Sequence, residues 1–177
     1  MAVDGAILVI NSGSSSVKFA LFDAAPAEPQ RTWSGSLERI GFDEGRFLVR
    51  AADRTALVDE TRAIPDHDAA LDLLLNWAED RDTQATPVAV GHRLVHGGEG
   101  CDCSRVVTPA LEVRLKQLVP LAPLHLPHNL AGITAVRRQR PDLPQVACFD
   151  TAFHHGLSRV ARLTGLPRRF EQEGIRR

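Results

Sequence analysis

Apolar and polar positions change their spacing several times along this 177-residue chain, and each change predicts an element. Ala6-Ile7-Leu8-Val9-Ile10 is a β-branched-rich run bounded by turn residues, the pattern of a buried strand. Val17, Phe19 and Leu21 then alternate with Lys18, Ala20 and Phe22, as a second strand does. Between the two, Asn11 to Ser16 ("NSGSSS") becomes a tight hairpin tip rich in hydroxyls and backbone N–H groups. Arg31 to Ala52 predicts another strand pair turning at "GFDEG", Gly41 to Gly45, with Trp33 and Leu37 before the turn and Phe47 and Val49 after it.

Helical spacing begins after Asp66, where Leu71, Leu74, Leu75 and Ala78 recur at i, i+3, i+4, i+7 and Asp66 or Asp68 can cap the start. Pro87 to Gly91 returns to strand character. Thr108-Pro109 opens a second helix with the stripe Leu111, Leu115, Leu118 and Val119. Pro120, Pro123 and Pro127 interrupt it, a further helix runs from about Asn129 to Gln139, and "QVACF", Gln145 to Phe149, is a last short strand ending at Asp150. The order β-β-β(β)-α-β-α-β predicts an α/β fold: a mixed sheet with antiparallel first strands and flanking helices.

Composition narrows the function classes. Twenty-one basic residues against 22 acidic ones leave a net charge of −1, which gives no electrostatic case for nucleic acid or a membrane surface. No apolar stretch approaches the ~18 residues of a membrane span, and "MAVDGAILVI" has no basic leader region. Cys101, Cys103 and Cys148 are odd in number, unlike a secreted disulfide framework, so a cytoplasmic protein with reduced thiols is expected.

Neither G-x-x-x-x-G-K-[ST] nor G-x-G-x-x-G after a strand is present. The hairpin tip is the alternative phosphate site. Successive N–H groups at Gly13, Ser14 and Ser15 can form an anion-binding concavity, serine hydroxyls can add hydrogen bonds, and Lys18 can add a point charge. The competing reading is a serine-rich turn whose hydroxyls satisfy their own backbone. Arg93 follows a buried-looking strand, so its guanidinium either faces an anionic ligand or pairs with Glu99 or Asp150. His92 and His96 would share a face only on a helix, which the flanking glycines oppose, and Cys101-x-Cys103 lacks a partner pair for zinc. His125 serves a site or caps the helix that follows. Asp150, just beyond an apolar strand, is either at the ligand-binding edge of the sheet or a turn aspartate.

Read in order, "NSGSSSVKF", "GHRLVHGGE", "APLHLPHN" and "FDTAFH" resemble the acetate kinase family, which includes the propionate and butyrate kinases. The resemblance runs from Ile7 to the last residues. It implies a domain similar to those of actin, Hsp70 and the sugar kinases (ribonuclease H-like), in a protein of two related α/β domains with a cleft between them. Residues 1–150 would form the N-terminal phosphate and acyl-substrate domain, and 151–177 the start of the interdomain segment or second domain. The implied reaction is reversible transfer of the ATP γ-phosphate to acetate, or another short carboxylate such as propionate, with Mg²⁺ or Mn²⁺. ATP and ADP are co-substrates, and the full-length family is a homodimer.

The resemblance also implies roles. Asn11 would lie near the metal and nucleotide phosphates, supported by Ser14, Ser16 and Lys18. Arg93 would bind the carboxylate and stabilise the phosphoryl group in flight. Val95 and Leu124 would line the methyl pocket, His125 would lie near the transferring phosphate, and Asp150 would orient substrate or the magnesium shell. Two departures stand out. Leu126 replaces the family's usual asparagine, which bears on the loop conformation. The chain also stops at "EQEGIRR", before the family's "YGFHGTSH"-like segment and nucleotide-binding domain, so these 177 residues are expected to be inactive alone. The alternative is a non-catalytic module that binds an anion or a partner.

Overall fold

The computed structural model describes residues 5–80, 87–98 and 100–175. Five strands follow one another in an antiparallel meander: β1 (Ala6–Ser12), β2 (Ser16–Asp23), β3 (Gln30–Glu38), β4 (Phe42–Ala51) and β5 (Ala56–Ile64). Three more extend the sheet beyond β1: β6 (Pro87–Leu94), β7 (Arg105–Val106) and β8 (Gln145–Phe149). Their order in the sheet is β5-β4-β3-β2-β1-β6-β8-β7, with β1, β6 and β8 parallel. The main helices are α1 (His67–Asp80), α2 (Pro109–Gln117) and α3 (Leu126–Gln139), with short helices α4 (Arg159–Arg162) and α5 (Arg168–Gln172) near the end.

The mixed sheet expected from the sequence is present, with differences at its edge. The segment Ala56–Ile64 is a strand that the apolar pattern did not predict. It carries Asp59, Glu60 and Arg62 and is largely exposed, as a charged edge strand is. The predicted "GFDEG" turn lies a few residues early, because Arg39 (φ 57°) and Gly41 (φ 90°) take the left-handed backbone that reverses the chain. Phe42 to Gly45 is then already strand, paired with β5. Helix α3 starts at Leu126, three residues before the predicted Asn129, with Pro127 in its first turn where no N–H is needed.

Helices α1 and α3 cover one face of the sheet. Leu8, Ile10, Val17, Phe19 and Leu21 point into that layer and meet Leu71, Leu74 and Leu75 of α1. Asp66 Oδ1 accepts the Ala69 N–H at 2.8 Å and caps α1. Trp33 packs edge-on against Phe19 and Trp77, with ring centroids 5.9 and 5.2 Å away. The layer is tight enough to require glycine at 35: a Cβ there would sit 2.1 Å from Leu48 O and 2.6 Å from Phe19 Cζ. A second core joins Leu94 and Phe149 to Leu115 of α2 and to Leu126, Leu130 and Ile133 of α3. Helix α3 also sends Ala135 and Val136 into the first core, so it belongs to both. Leu126 is fully buried, so its apolar side chain is part of this second core. No helix among the described residues is long and apolar enough to cross a membrane.

Candidate active site

Parallel pairing of β1, β6 and β8 puts their carboxyl ends side by side, where the sheet of an α/β protein binds ligands. Asn11 lies near the end of β1, Arg93 near the end of β6, and Asp150 directly after β8. The strand period turns His92 into the core and Arg93 to the opposite, open face.

Three side chains meet there. Arg93 Nε and Nη2 donate to the two carboxylate oxygens of Asp150 at 2.9 and 2.7 Å, and Nη1 donates to Asn11 Oδ1 at 3.2 Å. The fork-to-fork hydrogen bonds with Asp150 raise the Arg93 pKa above its ordinary value. Both partners of the pair are half-exposed, so a ligand can reach them. Of the two carboxylates considered for Arg93, Asp150 is the partner seen, and Glu99 lies outside the described residues. Asp150 begins a 3-10 turn (Asp150–His154), but its oxygens face Arg93 and cap nothing.

The hairpin tip adjoins this triad. Asn11 stands opposite Lys18 in the β1–β2 register, Lys18 and Ser14 are exposed, and Ser16 is half-buried. The Gly13 N–H closes the hairpin on Ser16 O at 2.8 Å. Among the three N–H groups of the expected concavity, this one is therefore spent inside the loop. Those of Ser14 and Ser15 have no partner among the described residues, and no serine hydroxyl of the tip bonds to the loop's own backbone.

The other expected residues are more scattered. Val95 is half-buried just beyond β6. Leu124 is 73% exposed on the turn before α3. His125 is the residue preceding α3, exposed, and makes no side-chain cap there. Neither Leu124 nor His125 bonds to the triad.

Sequence reasoning missed two side chains that hold the site in place. Asn129, buried on α3, donates from Nδ2 to Ser12 O at 2.7 Å and accepts the Val95 N–H on Oδ1 at 3.1 Å. It ties the end of β1 to the end of β6. Its one sequence signal is a polar residue on the helix face that is otherwise apolar. His67, at the start of α1, has Nε2 2.6 Å from Gly13 O. Beside these, Gly97 N–H donates to Thr151 Oγ1 at 3.2 Å and joins the loop after β6 to the turn after β8. These segments border a cavity of about 330 Å³ lined by His96, Cys101, Thr151, His154, His155 and Arg162.

His92 and His96 share no face. His92 is buried and donates from Nε2 to Gln145 Oε1 at 2.7 Å, whereas His96 lies in the following loop and accepts the Gly98 N–H. Among the described residues no three His, Cys, Asp or Glu side chains gather into a metal-binding group. Burial pushes the His92 pKa down to about 4 from 6.5, with the Gln145 hydrogen bond opposing it. Between those values the unfolded chain binds the proton and the folded one does not. Stability is thus complete above about pH 6.5 and falls with acidification towards pH 4, by about 3 kcal/mol from this one group. Urea unfolding across this range, with the His92 ring followed by NMR, checks it; a ring that titrates near 6.5 refutes it.

The mixed sheet with β1, β6 and β8 parallel and helices on its face is the α/β fold of the actin, Hsp70 and sugar-kinase class. The family model of the acetokinase family matches residues 6–177, and the chain belongs to that family. It is 41% identical over 176 residues to the acetate kinase of Rhodopseudomonas palustris (strain ATCC BAA-98 / CGA009), covering 97% of this chain and 44% of that one. With the acetate kinase of Leifsonia xyli subsp. xyli it shares 45% over 159 residues, 88% of this chain and 39% of the relative. Its structure matches Porphyromonas gingivalis acetate kinase (TM-score 0.86, 32% identity, 98% of this chain, 44% of that one) and a propionate kinase from Francisella tularensis (0.82, 31%, 97% and 44%). The chain thus spans less than half the length of the relatives it matches.

Proposed function

We propose that this chain forms the phosphate and acyl-substrate side of an acetate kinase-type phosphotransferase, which moves the ATP γ-phosphate to a short carboxylate such as acetate or propionate. The observation that carries the reading is the Arg93–Asp150–Asn11 triad beside a hairpin whose Ser14 and Ser15 N–H groups are free. A carboxylate is already ionised at neutral pH and needs no strong general base. Its oxygen attacks the γ-phosphorus, the bond to the β–γ bridging oxygen breaks, and ADP leaves with that electron pair. The demand on the protein is positioning and charge neutralisation. Arg93 has the fork to hold a carboxylate and an equatorial phosphoryl oxygen. Asp150 keeps that fork oriented until the anion arrives.

Asn11 Oδ1 and the Asp150 carboxylate, both bonded to the Arg93 guanidinium, are the hard oxygen groups here that would hold a Mg²⁺ carried mainly by nucleotide phosphates and water. When bound, the metal neutralises phosphate charge. Ser14, Ser16 and Lys18 would receive the phosphates, Val95 and Leu124 would border the methyl group, and His125 would stand near the transferred phosphate. We extend the proposal to a division at residue 150, with 151–177 leading out of this domain, to a cytoplasmic reaction, and to homodimeric assembly.

The test joins these residues to the remaining length of the R. palustris acetate kinase and traps acyl phosphate as the hydroxamate. Product formation supports the reading, and a folded, nucleotide-binding chimera without product overturns it. The 177-residue chain alone is expected to give no product. A second reading, a partner-binding module, draws on Leu124, Phe153 and Val160, which are 73, 85 and 80% exposed. Self-association in light scattering without any response to Mg·ATP favours it.

A further inference from the structure

Two successive carbonyls at the entrance of the hairpin tip are held by side chains from two different helices. Asn129 of α3 takes Ser12 O, and His67 of α1 takes Gly13 O. A carbonyl oxygen only accepts, so Nε2 of His67 carries the proton. The half-buried His67 ring stacks on His128 of α3, with centroids 4.8 Å apart and planes 28° apart. Burial first, then the imidazoles of His67 and His125, hold His128 below the ordinary histidine value, so the stack is with a neutral ring at neutral pH.

The Gly13–Ser14 peptide is planar and trans, so its C=O and N–H point in opposite directions. Drawing Gly13 O towards α1 turns the Ser14 N–H away from the helices. Glycine imposes little preference of its own on the orientation of this peptide. The choice falls to an external donor, and His67 is the donor present.

We propose that His67 is a positioning residue for the phosphate-binding hairpin: its Nε2–H fixes the Gly13–Ser14 peptide so that the Ser14 N–H faces outward to receive a phosphate oxygen. The assignment rests on the phosphate reading of the loop given above, and it adds the group that sets the loop's donors before any ligand arrives. Preorganised donors bind an anion without first reorganising, which is where the gain lies.

The experiment compares the ¹⁵N-labelled chain with His67→Phe, which keeps the stacked ring and loses the donor, and His67→Gln, whose amide N–H restores a donor near the place of Nε2. Urea unfolding confirms that each variant is folded. In the parent chain Mg·tripolyphosphate, which carries the phosphates without the nucleoside, is expected to shift the Ser14 and Ser15 amide resonances. In His67→Phe these resonances move before any ligand is added, and the apparent affinity falls about five- to tenfold, the worth of one hydrogen bond. In His67→Gln most of both effects is reversed. Unchanged loop resonances and unchanged affinity in His67→Phe overturn the proposal. Equal impairment of Phe and Gln variants overturns it too, because it assigns the ring to packing rather than donation. Loop resonances that depend on His67 in a parent chain that never answers to Mg·tripolyphosphate overturn instead the phosphate reading on which it rests.

Discussion

Arg93→Ala is expected to lower the rate of acyl phosphate formation by about 10³-fold or more in the active chimera, the scale on which a transition-state arginine acts in phosphoryl transfer. The geometry adds a second expectation. Arg93 uses Nε and Nη2 on Asp150 and Nη1 on Asn11, so three donors of one planar group align the ends of three strands. Lysine has one nitrogen at its tip and cannot span these acceptors. Arg93→Lys is therefore expected to recover less than a tenth of the lost rate, with the loss in kcat exceeding any rise in KM for acetate. Asp150→Asn retains one acceptor oxygen but loses the ion pair, and falls between the two. Hydroxamate-trapped initial rates at varied acetate give all three comparisons. Normal turnover in Arg93→Ala removes the residue from the mechanism.

Asn129→Ala carries the largest stability change expected here. Its removal leaves the buried Ser12 carbonyl and the half-buried Val95 N–H without partners, at about 1–3 kcal/mol for each such group. Relaxation reduces the sum, so a loss of about 2–4 kcal/mol and a Tm lowered by roughly 5–15 °C are expected. Asn129→Asp has nearly the same shape and keeps the acceptor for Val95, yet it places a carboxylate oxygen against Ser12 O. It is expected to lose at least as much at neutral pH. Calorimetry and urea unfolding of the 177-residue chain give these values, and a loss below 1 kcal/mol in both variants shows that the bridge is dispensable.

Local pattern and distant pairing were legible to very different degrees. Gln145–Phe149 coincides with its predicted strand, and Thr108 caps α2 by accepting the Leu111 N–H, because a short apolar run and a capping residue act within a few positions. Ala56–Ile64 was hidden because an edge strand needs no apolar alternation, only a neighbour to pair with. In β1 the run Ala6 to Ile10 suggested burial on both faces, but Val9 is 38% exposed on the side that α1 and α3 do not cover. At the site, the sequence left Arg93 with two carboxylates to choose between. The pairing of β6 with β8 brings Asp150 to it across 57 positions. Asn129 and His67 were invisible for the same reason: their acceptors lie 117 and 54 residues away, and nothing in their own surroundings announces them.

The parallel pairing of β1 with β6 has a consequence for how the molecule is made. Strands β1 to β5 pair with sequence neighbours through short connections, which close at small entropic cost and form early. Asn11 and Arg93 lie 82 positions apart and meet only after β6 docks along β1, with α3 laid across both. Assembly of the triad is thus a late step, a readout of completed folding. A probe on Arg93 should report slower refolding than Trp33, which sits in the early meander, and the hairpin tip should exist as a turn before it has the partners that make it a binding loop.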